Sequence, residues 1–92
     1  MSEMKKGDVV TVMTSVGEYI ARLERIDAGS VNVSDPRLIV RGEEGTIGFG
    51  RGVCMSAIEK PKNLTFQDVL FVVPTNESFE KAWIEATSGI II

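Results

Sequence analysis

The sequence predicts a mainly β protein: a small, strongly bent five-stranded antiparallel barrel or sandwich, extended by one further strand and one helix. Three observations carry this. β-branched and apolar runs of strand length succeed one another between residues 7 and 58. The stretches between them are short and rich in Gly, Asp, Asn, Ser and Pro, the residues of hairpin turns. Apolar residues at helical spacing come late, in residues 79–86.

Gly7-Asp8-Val9-Val10-Thr11-Val12-Met13 has the composition of a mostly buried strand, and Thr14-Ser15-Val16-Gly17 that of a turn. In the next strand, Glu18 to Ile26, Tyr19, Ala21 and Leu23 share one face while Arg22 and Glu24 point the other way. Ile26 breaks the alternation and predicts a bulge or strong twist near Arg25. Asp27-Ala28-Gly29-Ser30 is a second turn. In Val31-Asn32-Val33 the asparagine is out of place, because its short amide competes for backbone hydrogen bonds; it needs either a local partner or a ligand. Asp35-Pro36 predicts an edge position or a kink before Arg37 to Arg41 continue the strand. Gly42-Glu43-Glu44-Gly45 is a hairpin loop, and Thr46 to Gly50 and Val53 to Ile58 are the fourth and fifth strands.

Gly50-Arg51-Gly52 joins those two strands tightly and displays one cation at its tip, as either a solvated turn residue or a binding residue. Glu59 to Asn63 is a polar linker, and Phe66 to Val73 is a sixth strand ended by Pro74. Thr75 or Asn76 caps a helix on which Phe79, Ala82, Trp83 and Ala86 form one apolar stripe, read as packing. Glu77–Lys81 and Lys81–Glu85 are i,i+4 pairs on its solvent side, and Gly89 is a helix stop. Ile90-Ile91-Ile92 is too apolar for a free tail and is expected against a strand or at a subunit contact.

Ninety-two residues, 43% hydrophobic and 25% charged, make one small globular domain of a size that often gains stability by assembling. The single cysteine, Cys54, excludes an intrachain disulfide and reads as a small buried residue; with no membrane-length apolar run, a cytoplasmic location is expected. Ten Lys and Arg against 13 Asp and Glu give a net charge of −3, which argues against a general nucleic-acid coat but permits a local cationic site. The chain has no histidine, which removes Ser-His and Cys-His pairs, histidine metal sites and the commonest general base. No carboxylate constellation compensates. An enzyme is not expected, nor a metal or other cofactor.

Two motifs then come into view. Tyr19-x-Ala21-x-Leu23-x-x-Ile26-Asp27, followed by Val31-Asn32-Val33, resembles the first motif of the Sm/Lsm family, which includes the bacterial Hfq proteins. Arg51-Gly52-x-x-Met55-x-x-Ile58 resembles the second. The likeness covers Gly7 to Glu59 and departs from the family in four places. Ala21 replaces a bending glycine, and one extra residue separates Asp27 from Asn32. Ser30 stands where many members carry a base-stacking aromatic or histidine, worth about 1–3 kcal/mol per base. The helix lies after the strands rather than before them. Such departures suggest a divergent branch, like those of phages.

The resemblance implies a bent Sm-like (SH3-like) barrel over residues 7–59, with residues 60–92 as its extension. It also implies a homo-oligomeric ring of roughly five to seven subunits, closed by pairing the fourth strand of one with the fifth of the next. It places Asn32 and Arg51 in the pore as readers of a uridine in single-stranded, U-rich or A/U-rich RNA. Asp27 would brace the asparagine turn, Ser30 would stand beside it, and Gly52 would allow close approach. A structural or adaptor ring that binds protein without RNA is the alternative, and a monomeric SH3-like barrel a third reading.

Overall fold

The computed structural model describes residues 4–50, 53, 56–58 and 61–88. Its elements are β1 (Val9–Thr14), β2 (Gly17–Asp27), β3 (Ser30–Arg41), β4 (Ile47–Phe49), β5 (Asn63–Gln67), β6 (Phe71–Pro74) and α1 (Glu77–Ser88). The six strands form one antiparallel sheet in the order β4-β3-β2-β1-β6, with β5 also paired to β3. The sheet is not closed. The expected count of five strands with a sixth outside them is corrected, because the last two strands are integral to the sheet. Among the described residues no helix is long and apolar enough to cross a membrane.

β1 and β2 form a hairpin whose tip is held by one side chain. Thr14 Oγ1 donates to the Gly17 carbonyl at 2.9 Å and accepts from the Val16 and Gly17 amides. Along β2 the pairing with β3 slips twice, between Ile20 and Arg22 and between Leu23 and Arg25. The second slip is the irregularity that Ile26 predicts. At the first, Asp35 and Pro36 of β3 stand against the single Ala21 of β2, so the extra residue belongs to β3.

β3 is the longest strand, and its two halves have different partners. Ser30–Ser34 pair with β5, whereas Ile39–Arg41 pair with β4. Asp35 lies between them with φ of 48°, a left-handed conformation that strains most residues but suits a short polar side chain. The kink that Asp35-Pro36 predicts is therefore present, though the strand is central rather than at an edge. Its backbone is satisfied from both sides: the Asp35 amide donates to the Lys62 carbonyl at 3.0 Å, and the Trp83 indole donates to the Asp35 carbonyl at 3.0 Å.

Two sequence expectations fail after β4. Val53 and residues 56–58, the described part of the expected fifth strand, are not in a strand. The strand beside β3 is Asn63–Gln67 instead, which begins at the end of the expected linker. The run from Phe66 to Val73 is broken by Asp68 at φ 54°, and the chain turns there to pair Phe71–Pro74 with β1. An aspartate inside an apolar run is the local signal for that break, since its side chain favours turns over ladders.

Apolar side chains pack on both faces of the sheet. One face holds Val10, Val12, Tyr19, Ala21, Leu23, Val31 and Val33, with Leu64, Phe66, Val69 and Val72 against them. The other holds Val9 and Ile20 under Trp83, with Ile39, Phe49 and Phe79 alongside. Helix α1 starts where expected: Asn76 Oδ1 accepts from the Phe79 amide at 3.0 Å. Its stripe buries Trp83, and the Arg22 guanidinium lies 5.1 Å from the Trp83 ring centroid while donating to the Gly7 carbonyl.

Candidate functional site

Two turns meet at one end of the sheet. The β2–β3 turn is a two-residue loop, Ala28-Gly29, closed by the pair Asp27 and Ser30, with Gly29 at φ 81°. That positive φ is why glycine stands there. The β5–β6 turn, Asp68 to Leu70, lies against it: the Asp68 amide donates to the Gly29 carbonyl at 3.3 Å, and Gln67 pairs with Ser30 across the strands. Between the turns is a hollow of about 440 Å³ lined by Ile26, Asp27, Ser30, Asp68, Val69 and Val72, among others.

Of the residues the sequence singles out, Asp27 and Ser30 are brought together at this hollow. Asp27 Oδ2 accepts from Arg25 Nε at 2.7 Å, in a pair that is largely exposed and so worth little by itself. Asn32 lies within β3 rather than in a turn. Its Nδ2 donates to Asn63 Oδ1 and Thr65 Oγ1, each at 2.8 Å, and more distantly to the Leu64 carbonyl. The amide of this strand asparagine is satisfied by side chains of β5. Arg51 and Gly52 lie outside the described residues.

Sequence reasoning missed Gln67 and Asp68. This pair lies after a strand on β3, before a further sheet strand, and beside the β2–β3 turn. Asp68 adopts the left-handed conformation for which a glycine is the usual choice. Gln67 carries an amide with both donor and acceptor capacity. The signal that could have found them is again the aspartate interrupting Phe66 to Val73.

The chemistry of the hollow is hydroxyl, carboxylate and apolar, and none of its described lining residues is Lys or Arg. Among the described residues no group of three or more His, Cys, Asp or Glu could hold a metal, and every buried side-chain nitrogen or oxygen has a hydrogen-bond partner. The arrangement is therefore suited to contacts through hydrogen bonds and apolar surface. No protein-family model matches the chain, and no curated protein matches it.

Proposed function

We propose that the chain assembles into a homo-oligomeric Sm-like ring by pairing β4 of one subunit with β6 of the next, and that the ring binds single-stranded RNA at the paired turns. The observation that carries this reading is the open sheet, whose order ends in β4 on one side and β6 on the other. Both ends expose apolar side chains: Ile47 is 48% exposed, Phe71 49% and Val73 41%. β4, Ile47-Gly48-Phe49, contains neither the lysine nor the proline that commonly guards a free edge. Joining two different edges is a head-to-tail contact, and it closes into a ring when the rotation between subunits permits. These edges replace the expected pair, Thr46–Gly50 with Val53–Ile58.

In such a ring the turns at 27–30 and 67–70 recur once per subunit, so weak sites act together. Gln67 and Ser30 supply the amide and hydroxyl that can hydrogen-bond a splayed base edge, with Arg51 as the cation. Two measurements test this. Sedimentation at micromolar concentration is expected to give a multiple of the 10.0 kDa chain mass; a monomer would sink the ring. Titration with short oligouridine at low salt is expected to show binding weakened about ten-fold or more in Gln67→Ala and in Arg51→Ala. Equal affinity for all three proteins would sink the RNA site.

One observation favours the adaptor reading. The hollow is lined by Asp27 and Asp68 and by no described cation, which opposes a phosphate backbone. An assembled ring that binds no oligouridine even at low salt would decide for a structural or adaptor role.

A further inference from the structure

The face of the sheet that carries α1 is covered unevenly. Met13 pairs with Phe71 and Thr11 with Val73, which puts all four on the same face as Val9, the valine beneath Trp83. Helix α1 leaves β1 at Thr75, whose amide donates to the Val9 carbonyl, and reaches β3 at Trp83, whose indole donates to the Asp35 carbonyl. It therefore runs away from β6. Phe71 and Val73 stay about half exposed behind it. At the opposite end Ile47, paired with Arg41 and two residues from Phe49, lies on the same face and is also about half exposed.

The residues after Ser88 are Gly89-Ile90-Ile91-Ile92. We infer that this tail crosses to the neighbouring subunit and covers that subunit's Phe71 and Val73, sealing the joint between β4 and β6; the inference rests on the ring reading above. The position of the helix end decides which copy the tail serves. The 12 residues of α1 carry the chain about 18 Å from the β6 side. In a ring, the neighbour's β6 lies two strand spacings from β3, about 10 Å away. The pairing also keeps the helix-bearing faces continuous, so Ile47 of one subunit and Phe71 and Val73 of the next form one apolar strip. Three consecutive isoleucines match that strip in chemistry, and Gly89 frees the chain to turn off the helix.

The test uses the full chain, a variant ending at Ser88, and a full-length Phe71→Cys, Ile91→Cys pair in a Cys54→Ser background. The expected result has three parts. The full chain is an oligomer, and the truncated variant dissociates on dilution at a concentration about ten-fold higher or more. On oxidation the cysteine pair gives a ladder of chains linked to one another on a denaturing, non-reducing gel. An oligomer whose truncation dissociates at the same concentration overturns the tail assignment and leaves the ring standing. So does a cysteine pair that stays unlinked or closes within one chain. A full chain that sediments as a monomer overturns the ring, and this inference with it.

Discussion

On one face of the sheet, seven buried side chains from three strands pack against one another and are flanked by apolar residues of β5, β6 and the turn between them. On the other, Val9 and Ile20 are covered chiefly by one tryptophan, delivered by a helix that follows the last strand. The first cluster is shared, so each side chain loses only part of its packing if a neighbour is trimmed. The second depends on Trp83, which also satisfies the carbonyl of the strained Asp35 and receives the Arg22 cation. A core assembled from many strands and a face closed by one residue should fail differently.

The largest expected effect follows. Trp83→Ala should cost about 3–5 kcal/mol and release α1, with helical circular dichroism lost while the sheet signal persists at low temperature. Loss of both signals together would break the comparison. Val12→Ala, in the shared core, should cost about 2 kcal/mol and lower one transition seen alike by both signals. Asn76→Ala removes the helix cap and should cost about 1 kcal/mol, read as a lower urea midpoint. Smallest is Asp68→Gly. Relieving a left-handed aspartate should raise the urea midpoint by an amount equivalent to up to about 1 kcal/mol, and a fall would mean that the carboxylate itself holds the two turns together.

Two short stretches of sequence offer a second contrast. Gly50-Arg51-Gly52 looks like a functional tip in the sequence, because glycines and a lone cation are conspicuous. Gln67-Asp68 does not, because it sits inside a run that reads as one strand from Phe66 to Val73. Yet Gln67-Asp68 lies beside Gly29 and Ser30. What separates a continuous strand from two strands and a turn is the pairing choice of the flanks: Leu64 and Phe66 side with β3, Val72 and Val73 with β1. No local propensity contains that choice. Asp27 and Ser30 were legible as turn residues because hairpin chemistry is local, whereas the partners of Asn32 lie 31 and 33 residues away.

The sequence by itself determined the β class, the first two hairpins, the irregularity near Arg25, the kink at Asp35-Pro36 and the capped helix with Trp83 on its inner stripe. Each rests on period-two or helical patterning and on residues whose backbone preferences act within a few positions. Only the tertiary structure decided that β3 serves two partners, that Asn63–Gln67 pairs with its first half, and that the sheet stays open at β4 and β6. Those outcomes depend on which apolar face finds which, a contest among segments tens of residues apart in which the backbone breaks at Asp35 and Asp68 select the winner.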